Sequence, residues 1–306
     1  MLVHTELERQ QLADLQALLA RAGAADGHPA LPDPLRAVVA GAHLDRAQLR
    51  VFLAYDGPDL VGCAFLSPAG DGSRALHVVV DPTRRDGSAG GDIGAALIDR
   101  ALEDPQALDA PLRLWAMRAT EGDDDVATRH GFRLERDLLQ MRVPLPLPEA
   151  TVAGARPVAT RPFAPPEDEQ AWLDVNNRAF AGHPEQGAWT LAQLRERLAA
   201  QWVDLNGFLM ADAPDGSGLI GSCWTKIHAG PPVLGEIYVI AVDPRRHGQG
   251  WGKALTVAGL VWLAEQGITV GMLYTDADNT AAVALYRSLG FTVDHVDRAY
   301  LHAPAG

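Results

Sequence analysis

The residues best placed to do chemistry lie between Val239 and Leu255. An apolar run suited to a buried strand ends at Val242, and a glycine-rich turn then opens directly into a helical pattern. Gly248, Gly250 and Gly252 let backbone N–H groups converge with no side chain in the way. The helix N-terminus adds its partial positive charge, so the turn suits a diphosphate, and Arg245 and Arg246 can neutralise further phosphate charge. With nothing bound, the same turn serves equally well as a tight strand-to-helix connection. It is not a P-loop, because Gly252-Lys253 is followed by Ala254 where serine or threonine is required. A dinucleotide fingerprint wants glycine at position 253, and the antiparallel pattern before the loop is no βαβ unit.

The spacing Arg245-x-x-Gly248-x-Gly250 behind Val242-Asp243-Pro244 resembles the acetyl-CoA loop of the GNAT N-acetyltransferase superfamily. A second signature follows in the expected order: Asn279-x-x-Ala282-x-x-Leu285-Tyr286-x-x-x-Gly290-Phe291. The resemblance implies acetyl-CoA as co-substrate, with no metal. It places the acetyl carbonyl and the pantetheine arm against Ile240, Ala241 and Val242, and the pyrophosphate among His247, Gly248, Gln249, Gly250, Trp251, Gly252 and Lys253. Further contacts are implied for Asn279, Thr280, Ala281, Ala282, Val283 and Ala284, and in the first half for Val78, Val79 and Val80.

Making an amide from a thioester requires a neutral amine, a stabilised oxyanion and a proton for the leaving thiolate. An α-amine of pKa ~7.7–8.0 needs only a modest base, and family precedent puts that base, or a water-positioning carboxylate, at Glu236. Two-residue alternation puts Glu236 on the same side as Tyr238 and Ile240. In this fold the strand splays from its neighbour, which frees the amides of Ile240 to Val242 for the oxyanion. Tyr286, a phenol of pKa ~10, is the candidate acid. Its alternative is aromatic packing on the inner face of its helix, beside Val283.

The duplicated form, together with the stretches Asn176 to Glu185 and Met272 to Asn279, resembles tandem members of the superfamily that acetylate a cysteinyl-glucosaminyl-inositol pseudodisaccharide at its cysteinyl amine. That resemblance implies Glu185, Lys226, Glu236 and Tyr274 as acceptor contacts, with Asp33 from the first half. Carboxylates suit an ammonium and many hydroxyls. Lys226 and Glu185 equally fit surface charges, and Asp33, between two prolines, a solvated turn. Trp224 fits either a sugar-stacking platform or a buried hairpin residue. Two other functions stay open: acetylation of an aminoglycoside, polyamine or peptide N-terminus, and acyl-CoA sensing without turnover.

The elements that must hold these groups occur twice. Val80-Asp81-Pro82 recurs as Val242-Asp243-Pro244, Gly131-Phe132 as Gly290-Phe291, Phe52-Leu53 as Phe208-Leu209 and Val61-Gly62 as Ile220-Gly221, each about 160 positions on. One domain has been duplicated and fused. The expected divisions are residues 1–148 for a degenerate first copy, 149–166 for a Pro-rich extended connector, and 167–306 for the catalytic copy. In the first copy extra residues interrupt the loop between Asp86 and Gly94, and His130 stands near the place of the tyrosine, so the fold survives and the reaction is lost. The second copy reads as helices over Glu167–Phe180 and Leu191–Trp202, then strands over Phe208–Ala211, Leu219–Ile227 and Gly235–Val242. A helix over Gly250–Glu265, a strand over Val270–Tyr274 and a helix over Thr280–Leu289 complete it. That order predicts an α+β fold, with helices flanking one mostly antiparallel sheet per copy.

Composition removes other classes. The 306 residues suffice for two domains, and a net charge of −13 excludes a non-specific nucleic-acid binder. Cys63 and Cys223 sit one residue out of repeat register, which predicts buried thiols on opposite faces. The ten histidines show no metal-ligand spacing. Met1 to Glu8 lack a basic stretch followed by an apolar core, so no signal peptide is expected there, and no apolar run approaches the ~18–20 residues of a membrane span. The expectation is a cytoplasmic monomer acting on a small molecule, away from membranes and nucleic acid.

Overall fold

The computed structural model describes residues 2–4, 7–41, 49–69, 71–85, 88–182, 186–230 and 232–302. In chain order the first-copy elements are β1 (Leu2–His4), α1 (Arg9–Asp26), α2 (Asp33–Val39), β2 (Arg50–Asp56), β3 (Asp59–Pro68) and β4 (Arg74–Val80). They continue with α3 (Ser88–Leu102), α4 (Pro105–Leu108), β5 (Leu112–Ala116), α5 (Glu121–Arg129) and the long β6 (Arg133–Pro144). Next come α6 (Glu149–Ala153), β7 (Arg161–Pro162), α7 (Glu169–Ala179), α8 (Leu191–Leu198), β8 (Phe208–Asp212) and β9 (Leu219–His228). The chain ends with β10 (Leu234–Val242), α9 (Trp251–Glu265), β11 (Val270–Asp276), α10 (Thr280–Ser288) and β12 (Thr292–His302).

Two compact units result: residues 1–137 with 296–306, and residues 138–295. Among the described residues each holds a mostly antiparallel sheet with one parallel pair, β4–β5 in the first and β10–β11 in the second. The repeat-based boundaries at 148 and 166 follow the sequence, whereas the units follow the strands. The last strand of each copy completes the sheet of the other unit. Arg298–His302 of β12 pair with Ala116–Leu112 of β5, and Leu138–Pro144 of β6 pair with Asp276–Val270 of β11.

The expected extended connector also differs from what is found. Pro148 precedes the five-residue helix α6, and β7 pairs with Met210 and Leu209 at the edge of the second sheet. Arg161 fixes that edge, reaching Asp168 and Asp212 at 2.6 Å each. Prolines bar a long helix here, yet they leave room for one turn and an edge strand.

Helix α7 buries Trp172, Leu173 and Val175 against Phe208, Met210, Trp224, Val239 and Ala241 on one face of the second sheet. Helix α9 covers the opposite face. It lies close because Gly259 has no side chain: a Cβ there would meet the Cys223 Sγ at 2.5 Å and the Ile237 Cδ1 at 2.8 Å. Gly259→Ala is therefore expected to destabilise the fold. Overpacking of about 1–3 kcal/mol outweighs the ~1 kcal/mol gain in helix propensity. A thermal melt checks this, and a raised Tm would contradict it.

The same contact settles the cysteines. Cys223 faces α9, while Cys63 packs with Leu15 and Leu18 of α1 on the other kind of face. Both are buried free thiols, and burial pushes the Cys223 thiol up to about 12.

Candidate active site

Strand β10 pairs with β9 along its length, but with β11 only at Gly235–Gly271 and Glu236–Met272. Beyond Glu236 the two strands part, and backbone groups of Tyr238 to Val242 on that side leave the ladder. Strands β4 and β5 part in the same way after His77–Trp115, which leaves Val78, Val79 and Val80 beyond the paired segment. A register shift between Ile237 and Val239 marks a bulge in β10.

The bulge corrects one expectation. Glu236 and Tyr238 share the α7 face, but Ile240 does not: it pairs with Cys223, on the α9 face, while Val239 and Ala241 join the α7-side core. The extra residue at the bulge resets the alternation.

At the end of β10, Asp243 caps a short turn over Pro244–Arg246, accepting a hydrogen bond from the Arg245 amide at 3.0 Å. Its carboxylate is 1% exposed and also takes the guanidinium groups of Arg245 at 2.6 Å and Arg178 at 2.7 Å. Arg245, with help from Arg178, holds this carboxyl far below the usual carboxylate range. Arg245 is paired with Asp243 while its side chain stays 73% exposed, and Arg246 reaches the Ser217 hydroxyl at 2.5 Å. The buried carboxylate attracts the nearest guanidinium more strongly than open solvent does.

Gly248 and Gly250 have φ of 74° and 83°, and Gly250 is the N-cap of α9. Only glycine adopts these angles without strain, and no atom lies within 4 Å of where a Cβ would stand. The result is an open backbone cradle at a helix N-terminus, which fits a diphosphate. His247 Nε2 lies 3.2 Å from the Val242 carbonyl oxygen. Gln249 accepts Arg156 on its backbone oxygen at 3.1 Å, and that guanidinium lies 3.8 Å from the centroid of the Trp251 ring. At Gly252 a Cβ would lie 3.4 Å from the Leu285 Cδ1, an ordinary contact distance. Lys253 stands in the first turn of α9. Asn279 caps α10, accepting from the Ala282 amide at 3.2 Å; Thr280, Ala281 and Ala284 are exposed and Val283 is buried. Gly250→Val forces a β-branched side chain into the left-handed region at a cost of about 1–2 kcal/mol, and a loop that relaxes out of the cradle to escape that strain is expected to lose about 5- to 30-fold in acetyl-CoA affinity. Calorimetric titration with acetyl-CoA measures it, and an unchanged Kd would remove the cradle from the binding site.

On the α7 face, register lines up Lys226 of β9, Glu236 of β10, Met272 of β11 and Arg142 of β6 as successive cross-strand neighbours. Tyr274 and Gln140 form the next pair on that face, and the Gln140 amide donates to the Tyr274 hydroxyl at 2.7 Å. Gln140 in turn accepts from Arg142 at 2.8 Å. Lys226 and Glu236 are both 7% exposed, neither of them a surface charge. The Lys226 ammonium lies 4.9 Å from the Trp202 ring centroid and 5.5 Å from that of Tyr238. One oxygen of Glu236 lies 2.7 Å from His228 Nε2. A carboxylate, an ammonium and hydrogen-bonding groups therefore share one sheet face beside the place where the strands part.

Tyr286 sits on α10, 8% exposed, with its ring 5.8 Å from that of Phe291. Burial, with a smaller contribution from Cys223, pushes its phenol up to about 12. Through Cys223 it belongs to the α9 side, opposite Glu236.

The structure thus brings together Lys226, Glu236 and Tyr274. Asp33 opens α2 of the first unit and pairs with Arg36. Glu185 lies outside the described residues. Trp224 is fully buried, stacked on Phe208 at 4.3 Å, and offers no platform for a sugar. Sequence reasoning missed His228, Trp202, Gln140 and Arg142. For His228 the signal was its two-residue spacing from Lys226 on one strand. No local signal marks the other three.

A splayed parallel pair, a glycine cradle at the following helix and a buried tyrosine on the next define the class: an acyltransferase of the GNAT type. Residues 169–291 match the model of the Acetyltransferase (GNAT) family. A tandem GNAT protein from the clavulanic acid biosynthesis pathway superposes with a TM-score of 0.69 at 17% identity, covering 98% of this chain and 96% of that one. The mycothiol acetyltransferase of Pseudarthrobacter chlorophenolicus is 41% identical over 96% of this chain and 93% of its own. That of Thermomonospora curvata is 45% identical over 83% of each. The chain belongs to the mycothiol acetyltransferase family, and it is an acetyltransferase.

Proposed function

We propose that the chain transfers acetyl from acetyl-CoA to the cysteinyl amine of desacetylmycothiol, a cysteinyl-glucosaminyl-inositol, in the last step of mycothiol formation. The observation that carries this reading is the parting of β10 and β11 beside Glu236, with Tyr286 on the other side. Glu236 takes a proton from the acceptor ammonium, directly or through a water. The free amine attacks the thioester carbonyl, and amides of Ile240 to Val242 outside the ladder hold the oxyanion. Collapse expels the thiolate, which takes its proton from Tyr286, while the nitrogen sheds its second proton to solvent as the amide forms and solvent returns a proton to the phenol. Lys226, Tyr274 and Glu185 serve the sugar and inositol hydroxyls. The pyrophosphate lies across His247 to Lys253, with Asn279 to Ala284 alongside.

The first copy performs no reaction in this reading, its Val78 to Val80 segment giving at most a second, silent CoA contact. A cytoplasmic monomer is the working form. Among the described residues no helix is long and apolar enough to cross a membrane, and no group of three or more His, Cys, Asp or Glu could hold a metal ion.

The test uses the purified full chain with acetyl-CoA and desacetylmycothiol, following release of the CoA thiol. Steady turnover supports the reading. Turnover only with polyamines, aminoglycosides or peptides changes the acceptor, and CoA binding without any turnover leaves a sensor.

A further inference from the structure

We infer that His228 is a positioning residue for Glu236, aiming one carboxylate oxygen at the acceptor amine; this rests on the reading of Glu236 as the base. The imidazole Nε2 lies 2.7 Å from Oε2 of Glu236, a charge-assisted hydrogen-bond distance. The two side chains come from adjacent antiparallel strands, His228 being the cross-strand partner of Leu234, two residues before Glu236. A glutamate's terminal torsion is broad, so a single anchor on the strand does not fix which way its oxygens point. A donor locked on Oε2 does, and it leaves Oε1 for the ammonium of the acceptor.

The surroundings make that anchor necessary. Lys226, the cross-strand partner of Glu236, would otherwise capture the carboxylate. Its ammonium instead lies over the Trp202 and Tyr238 rings, at 4.9 and 5.5 Å. Arg197 of α8 approaches the same Tyr238 ring at 5.9 Å, so the aromatic pair has cations on it from two elements. Glu236 thus faces an ammonium, Lys226, and an imidazole, His228, on its own sheet face, and the imidazole is within hydrogen-bonding distance of it. His228 is half-buried, at the open end of β9, so its ring is fixed by this bond more than by packing.

Kinetics of the full chain with acetyl-CoA and desacetylmycothiol test this with His228→Ala, His228→Gln, Glu236→Gln and the Ala/Gln double variant. His228→Ala is expected to lower kcat between about 10- and 100-fold, as a misaimed group does, with KM for acetyl-CoA unchanged. His228→Gln, whose amide nitrogen occupies the place of Nε2, recovers most of the loss. Adding His228→Ala to Glu236→Gln lowers kcat no further, because the residue acts only through the carboxylate. Unchanged kcat in His228→Ala, no recovery in His228→Gln, or an equal loss in the Glu236→Gln background would each overturn the inference. Should alanine unfold the chain, His228→Asn, polar but too short to reach Oε2, takes its place. If the wild-type chain acetylates no amine at all, the reading of Glu236 fails first. If it turns over and His228→Ala matches it, only the positioning role fails.

Discussion

Glu236→Gln is expected to lower kcat by about 10²–10⁴-fold, the usual worth of a positioned base, with acetyl-CoA affinity unchanged. Glutamine keeps the shape and can still bond to His228, so the packing around Lys226 and Tyr274 is preserved. What it loses is the capacity to take a proton. An α-ammonium of pKa ~7.7–8.0 is mostly protonated at pH 7, and an ammonium has no lone pair with which to attack. The deficit should therefore shrink as pH rises from 7 toward 9.5, where solvent supplies the free amine. Rate measurements across that range separate this role from simple acceptor binding. A binding carboxylate would raise KM at every pH and leave kcat nearly intact, and that outcome would remove Glu236 as the base.

How much of this was legible depends on how local each feature is. The cradle was legible because Gly248 and Gly250 occupy angles that only glycine tolerates, so sequence and geometry state the same requirement. The element order of the second copy was legible from periodicity, and its strand and helix limits differ from expectation by a few residues. The bulge after Ile237 was not, since Tyr238 is an ordinary strand residue and the extra position shows only in register against β9. That one residue decides which face Ile240 presents. Strand exchange was equally hidden: two copies of one domain offer matching sheet edges, and nothing within β6 or β12 says which edge each will join. Its consequence is chemical, because Gln140 from the first repeat comes to hold Tyr274 of the second across 134 positions of sequence. Arg245 shows a related limit. A motif shows that a cation is present, but not that a fully buried Asp243 two residues earlier will claim it.

Tyr286→Phe is expected to lower kcat about 100-fold with little change in acetyl-CoA affinity, since the lost oxygen matters only when the thiolate departs. A thiol of ordinary pKa near 8.5 is a fair leaving group, and a phenol placed beside it supplies the proton without waiting on solvent. Burial holds the Tyr286 phenol protonated to about 12, so the proton is present throughout the working range. The same shift has a sign that can be checked separately. A phenol whose pKa rises from 10.0 to about 12 on folding adds nothing below pH 10, and stability is lost as pH climbs through that interval, because the unfolded chain ionises first. Tyr286→Phe removes this loss, so the variant should unfold at higher pH than the wild type. Aromatic packing alone predicts that alkaline gain as well, together with an unchanged kcat. Only a proton donor predicts both the gain and the hundredfold fall, so the two measurements on one variant decide between the roles.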